Sequence, residues 1–162
     1  MSPLNEDLLI EIVDEFLKPF GIDSDFDSDF FYDPEDERVY FSIIISERSD
    51  RLFKEYIAKE FNFNVENTFL ISLLHEVGHF YTLPLFSKEE MKKSYRDKSK
   101  IEKALEKNDD DATFSSYFDL DVEKVATKWA IEYYQTHTKR CDEFFKKFLR
   151  TLVDEYMRLG VI

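Results

Sequence analysis

Two histidines four residues apart, His75 and His79, lie in the apolar segment 69–80, which reads F-L-I-S-L-L-H-E-V-G-H-F. In an α-helix such residues share one face, about one turn apart. Their imidazoles can bind a single tetrahedral Zn²⁺ and leave room for a third protein ligand and a water molecule. In the pattern H-E-x-x-H, the glutamate acts as a general base on that water. The segment therefore predicts a hydrolytic metal centre with Glu76 as its catalytic residue.

The residues around the histidines predict that the opposite face of this helix is buried. Apolar side chains recur there at spacings of three and four, at Leu70, Leu73, Leu74 and Val77. Gly78 is unfavourable inside a helix by about 1 kcal/mol relative to alanine, so its presence indicates a close approach of backbone or substrate. A histidine on an apolar helix is also a common core residue, so the metal interpretation needs a third ligand.

The third protein ligand must come from elsewhere in the chain. A histidine at the short spacing of the H-E-x-x-H-x-x-G-x-x-H pattern is absent, since Thr82 and Phe86 stand near those positions. A carboxylate on a later helix is therefore expected, and Glu123 is the candidate. Small side chains share its predicted helix face and would let two helices lie close together, namely Ala126, Thr127 and Ala130.

Other acidic residues remain open as the third ligand. Acidic side chains near the start of a helix are favoured by the helix dipole whatever their function. The alternatives to Glu123 are Asp119, Asp121 and one of Asp109, Asp110 and Asp111. His137 follows Glu123 by fourteen residues, which is about 21 Å along a straight helix and places this histidine outside the site.

The composition predicts a single domain, 1–162, with a substantial core. The chain has 162 residues, of which 43% are hydrophobic and 17% aromatic. Lys and Arg number 22 against 35 Asp and Glu, giving a net charge of −13. A field of this sign repels phosphate backbones, so we expect no direct nucleic-acid partner.

The chain shows no signal for export or membrane insertion. Its amino terminus lacks a basic segment, and nothing approaches the roughly 18 apolar residues of a membrane span. We therefore expect a cytoplasmic protein with no membrane partner. Cys141 is the only cysteine and lies on an apolar stripe, so it is expected to be a buried thiol without a disulfide partner. Any metal site must then use histidine and carboxylate ligands.

Hydrophobic periodicity predicts an α+β fold that is mainly helical with a small sheet. Besides 69–80, helical spacing is found at 5–20, 50–61, 119–135 and 140–159, and the composition of 87–107 is also helical. The apolar residues of 140–159, Leu149 and Val153 among them, are expected to pack into the core. The segment 87–107 is dense in charge, which predicts a solvated helical arm or a lid over the site. The segment 108–116 has the weakest pattern and is expected to be a loop.

A β-hairpin is predicted between the first two helices. Residues 30–32 and 38–46 flank a turn that contains Pro34, and the second run is rich in β-branched residues. If this second strand lies at a sheet edge, its backbone can pair with an extended peptide. The acidic segment 23–29, D-S-D-F-D-S-D, looks like a calcium loop, but the glycine and glutamate of an EF-hand do not fall in place.

Three segments together give the chain a family resemblance. They are D-P-E-D-E-R-V-Y-F at 33–41, N-T-F-L-I-S-L-L-H-E-V-G-H-F at 67–80 and E-K-V-A-T-K-W-A at 123–130. The chain resembles small gluzincin-type metallopeptidases of the ImmA/IrrE family, in which the last motif is E-x-x-A-x-x-aromatic-A. Thr127 stands where an asparagine is common. The resemblance implies a minimal zincin-like fold with His75, His79 and Glu123 as zinc ligands and Glu76 as general base.

The residues and the resemblance together predict a zinc metallopeptidase that hydrolyses a peptide bond in a protein or peptide substrate. The resemblance implies that this substrate is a regulatory protein such as a transcriptional repressor. One alternative is a regulatory interaction module that retains the metal site with little or no proteolysis. Another is a helical structural domain without metal.

Overall fold

The computed structural model describes residues 3–162. Within this range the helices are Glu6–Leu17 (α1), Glu47–Phe61 (α2), Thr68–Thr82 (α3), Lys88–Lys107 (α4), Asp111–Ser116 (α5), Asp121–Thr136 (α6) and Thr138–Arg158 (α7). The strands are Asp23–Phe26 (β1), Phe31–Asp33 (β2) and Arg38–Phe41 (β3). The protein is therefore mainly helical with a small sheet, as expected of the α+β class.

The three strands form one sheet in the order β1-β3-β2. β2 and β3 pair antiparallel, with Tyr32 opposite Val39, so the expected hairpin is present. β1 pairs parallel to β3, with Ser24 opposite Val39. Because β3 has a neighbour on each side, the idea that this strand lies at a sheet edge and pairs with a peptide is wrong.

The acidic segment 23–29 contains strand β1, which the sequence did not predict. Its alternation of Asp with Ser and Phe follows the two-residue period of a strand. Ser24 is buried and donates both its backbone N–H and its hydroxyl to Asp14 of α1, at 2.6 and 2.7 Å. These bonds tie the sheet to the first helix.

The core lies between the sheet and the helices α1, α3 and α7. Val39 and Phe41 of β3 are fully buried. Aromatic side chains join the helices across this core, with ring centroids 4.1 Å apart for Phe16 and Phe144 and 4.5 Å apart for Phe69 and Phe148. This packing fixes α3, the helix that carries the two histidines.

Local signals in the sequence explain where α3 begins and ends. The side chain of Asn67 accepts a hydrogen bond from the backbone N–H of Phe69 at 2.7 Å and so caps the helix. At the other end, Pro84 lies in a 3₁₀ turn, Leu83–Leu85, that directly follows the helix. Leu73, Leu74 and Val77 are fully buried, as the apolar spacing predicted.

Helices α3 and α6 lie side by side in close contact. A Cβ atom on Gly78 would stand 2.6 Å from the backbone oxygen of Ala126, so only glycine fits at this point of α3. Ala126 and Ala130 are both fully buried. The small side chains predicted to allow close approach therefore lie at the contact between the two helices.

Two expectations for the second half of the chain are wrong. Residues 111–116 form helix α5 rather than a loop, because the side chain of Asp110 accepts from the backbone N–H of Thr113 at 2.7 Å and caps the turn. On α7, Leu149 and Val153 were expected in the core but are 40% and 43% exposed. The apolar face of α7 is therefore wider than the part of it that is buried against the core.

The charged segment 87–107 is a helix, as expected. Ser87 and Glu90 form a reciprocal capping box at its start, and no residue of α4, Lys88–Lys107, is buried.

Across residues 3–162, none of the helices combines the length and the apolar character needed to cross a membrane.

Candidate metal centre

His75, His79 and Glu123 meet where α3 and α6 lie closest. Oε2 of Glu123 lies 2.7 Å from Nε2 of His75 and 3.1 Å from Nε2 of His79. The possible ligand atoms of the three residues all lie within 4.8 Å of one another. Two imidazole nitrogens and a carboxylate oxygen in this arrangement could hold one metal ion.

Thr127 sets the orientation of the His75 ring. Its hydroxyl donates to the backbone oxygen of Glu123 at 3.1 Å and lies 2.9 Å from Nδ1 of His75. Since the hydroxyl proton is already used, Nδ1 of His75 is the donor in this second bond. The neutral ring then presents the lone pair of Nε2 to the site, which is the form that binds a metal.

The donor set fits a cation. Nδ1 of His79 is buried and, among residues 3–162, has no hydrogen-bond partner, so this ring makes its polar contact through Nε2 and Glu123. Two imidazole nitrogens and one carboxylate oxygen at these distances require a proton or a cation between them. A divalent ion with nitrogen and oxygen ligands satisfies all three atoms at once.

Electrostatics favour the charged form of the Glu123 carboxylate. Burial alone would raise the pKa of Glu123, but its hydrogen bonds with His75 and His79 hold this pKa well below its usual range. Burial likewise disfavours the charged form of His75, yet the hydrogen bond and the negative charge of Glu123 raise the pKa of His75 overall. The site therefore contains a fixed negative charge beside the two rings.

Tyr117 holds the second oxygen of the same carboxylate. Its hydroxyl donates to Oε1 of Glu123 at 3.0 Å, which leaves Oε2 facing the histidines. Burial and the charges of Glu123 and Glu76 raise the pKa of Tyr117, so its hydroxyl keeps the proton that it donates. The sequence did not predict this role, because a tyrosine at the end of a weakly patterned segment carries no local signal of it.

Glu76 lies beside the three candidate ligands and is only 8% exposed. Burial raises its pKa, and the two histidines partly offset this effect. A carboxylate whose pKa is raised by burial holds a proton more readily than an exposed one. Glu76 is thus suited to take up and release a proton at this position.

The other acidic residues considered as third ligand are engaged elsewhere. Asp119 accepts from the hydroxyl of Tyr56 at 3.2 Å and pairs with Lys124 at 3.3 Å. Asp109 and Asp111 bind Arg48 at 2.8 and 3.0 Å. The cluster of donor atoms contains none of these residues and neither Asp110 nor Asp121. His137 is exposed at the end of α6, as the helix length predicted.

Neither family models, nor characterised proteins, nor solved structures give a match to this chain. Function is therefore inferred from the residues of the site and from the motifs at 67–80 and 123–130.

A cleft of about 690 Å³ opens beside His75, Glu76 and Glu123. One wall is the charged helix α4, which contributes Lys98, Ile101, Glu102 and Leu105. The opposite walls come from α2, from α5 with the turn that follows it, and from the loops next to β2 and β3. The expected arm thus borders the candidate metal centre and narrows access to it.

Proposed function

We propose that the protein is a zinc-dependent metallopeptidase of the gluzincin type with a minimal zincin-like fold, similar to the ImmA/IrrE family. One observation supports this most directly. His75, His79 and Glu123 converge on one point, with the buried carboxylate of Glu76 beside them at the base of an open cleft. The proposed substrate is a protein or peptide, and a regulatory protein is the class implied by the resemblance.

Each residue of the site has a defined part in the proposed reaction. Zn²⁺ bound there would polarise the scissile carbonyl group and lower the pKa of the attacking water. Glu76 accepts the proton of that water on its carboxylate and later delivers it to the leaving amine. Thr127 selects the tautomer of the neutral His75 ring that has its proton on Nδ1 and leaves Nε2 for the metal, and Tyr117 orients the carboxylate of Glu123.

The substitution Glu76→Gln separates metal binding from catalysis. We expect this variant to retain zinc, because Glu76 is not a ligand, and to lose peptide hydrolysis by about 10²- to 10⁴-fold, because its general base is gone. Metal content is measured by elemental analysis and hydrolysis with an unstructured protein such as casein. The matched control is Glu102→Gln, which lies on the α4 wall of the same cleft and should leave turnover of this substrate within a few-fold of the native value.

The same variant distinguishes the peptidase from a binding module that retains the metal site. Native hydrolysis by Glu76→Gln would contradict Glu76 as the general base, whereas an unchanged cellular effect of a Glu76→Gln variant that has lost hydrolysis would favour an interaction module. Loss of the cellular effect together with retained zinc would support cleavage as the function.

A further inference from the structure

An aromatic wall leads away from the candidate metal centre. The ring of Phe53 stands edge-on to that of His75, with centroids 6.3 Å apart. Phe118 stacks on Phe53 at 5.0 Å, and Phe114 meets Phe118 at 6.1 Å. These three phenylalanines line the cleft. A continuous apolar surface therefore begins at a candidate metal ligand and extends into the opening.

Apolar side chains of α4 face this wall from the other side of the cleft. Ile101 and Leu105 lie one helical turn apart, line the cleft and are partly exposed. The other residues of this helix are mostly charged and keep it soluble. Apolar side chains that face an open cleft therefore have no role in its solubility. Together with the aromatic wall, they enclose a space that favours an apolar occupant.

The charges around the cleft disfavour an acidic occupant. Besides the residues of the candidate metal centre, the carboxylates of Asp29 and Glu102 and one cation, Lys98, are among its lining residues in the described range. Arg48, whose guanidinium lies over the Phe114 ring at 4.7 Å, is already paired with Asp109 and Asp111. The ammonium group of Lys98 lies 5.7 Å from the ring centroid of Tyr117, so it is directed at that ring. A ligand carboxylate placed there would meet like charge in a partly desolvated site.

We propose that the space between α4 and the Phe53–Phe118–Phe114 wall is a specificity subsite for a large, uncharged apolar side chain of the substrate, such as leucine or phenylalanine. This proposal rests on the proposed function, since it needs a peptide whose scissile bond lies at the metal centre. The cleft volume of about 690 Å³ exceeds that of one side chain, so the adjoining backbone of the peptide also fits.

Zinc-binding hydroxamates test the subsite without requiring turnover. Acetohydroxamate has no side chain, whereas N-acetyl-leucine hydroxamate and N-acetyl-aspartate hydroxamate carry one next to the same zinc-binding group. With the zinc-loaded chain 1–162, we expect the leucine compound to bind at least tenfold more tightly than acetohydroxamate, because its side chain is buried against apolar surface. The aspartate compound should gain nothing.

Two Leu→Asp variants, one inside the cleft and one outside it, show where the side chain of the leucine compound binds. Leu105→Asp should abolish the advantage of the leucine compound and leave the affinity for acetohydroxamate unchanged. Leu149→Asp, at a leucine of α7 that is 40% exposed and outside the cleft, should keep the advantage. Equal affinity of the native protein for the leucine compound and acetohydroxamate, or an advantage that survives Leu105→Asp, would overturn the subsite alone. Failure of zinc and of all three hydroxamates to bind would overturn the proposed function and the subsite with it.

Discussion

The carboxylate of Glu123 is held at both of its oxygens. Oε1 accepts from Tyr117, and Oε2 faces the two histidines. Thr127 bonds both the Glu123 backbone and the His75 ring, so it links the two helices at the site itself. Hydrogen bonds of this kind to metal-ligating side chains restrict their motion and strengthen metal binding.

Removal of the Tyr117 hydroxyl is expected to weaken zinc binding. Tyr117→Phe leaves Oε1 of Glu123 without its donor, so the carboxylate can rotate, and we expect the affinity for zinc to fall about tenfold or more. Competition with a chromophoric chelator measures this change. The control is Tyr56→Phe, which removes the bond of another tyrosine to Asp119 and should leave the affinity unchanged. Equal affinities of all three proteins would contradict a positioning role for Tyr117.

At the residue level, the sequence predicts what helical geometry determines and misses what depends on tertiary contacts. His75, Glu76 and His79 follow from spacing within one helix. Glu123 could be selected because the small residues after it indicated a close helix contact, although several acids remained open. The hydroxyl of Thr127 acts across the chain, and its partner His75 is known only once α3 and α6 are packed together. Tyr117 bonds Glu123 from the 3₁₀ turn Tyr117–Asp119 just before α6, a contact that no hydrophobic periodicity predicts.

The contact between helices α3 and α6 brings the candidate ligands together. Gly78 lies directly against the backbone of Ala126, three residues after Glu123. This contact lets a glutamate side chain reach histidines on the neighbouring helix. The spacing of the two helices therefore controls the spacing of the candidate ligands.

The substitution Gly78→Ala tests this contact, because the close approach reverses the sign of the expected change in stability. At a solvent-exposed position inside a helix, replacing glycine with alanine stabilises the protein by about 1 kcal/mol. Here the new Cβ would meet the Ala126 oxygen at 2.6 Å, so we expect a destabilisation of about 1–3 kcal/mol. Urea unfolding measures it, and Ala104→Gly on the exposed surface of α4 gives the ordinary difference between the two residues. A more stable Gly78→Ala protein would contradict the close contact.

Two elements escaped prediction for physical reasons. β1 consists mainly of Asp and Ser, which disfavour strands, and its pairing with β3 and the bonds of Ser24 to Asp14 hold it in the sheet. α5 is a short helix whose start depends on the Asp110 cap rather than on hydrophobic spacing. Long amphipathic helices were predictable because their burial is periodic along the chain.

On the scale of the whole molecule, the aromatic core holds the first and last helices together. Phe16 of α1 stacks on Phe144 of α7, and Arg140 lies over the ring of Phe16 at 4.3 Å. Cys141 is fully buried on the same helix. Exposure of this thiol therefore requires α7 to separate from the core.

Cys141 is expected to report global unfolding. Burial raises its pKa to about 11, and the reactive thiolate is scarce at about pH 8. We expect no reaction of the native protein with a disulfide reagent such as DTNB, and about one thiol per chain to react in guanidinium chloride. Rapid stoichiometric labelling of the native protein would contradict the packing of α7.

The zinc affinities of two isosteric variants give the sharpest test of the proposed metal centre. Glu123→Gln removes the negative charge of the third ligand, whereas Asp119→Asn makes the same change at the rival acid two residues before α6. We expect the native and Asp119→Asn proteins to bind about one zinc per chain with the same affinity and Glu123→Gln to bind it at least tenfold more weakly. A native protein without zinc affinity, or a Glu123→Gln variant with native affinity, would contradict Glu123 as the third ligand of a zinc site.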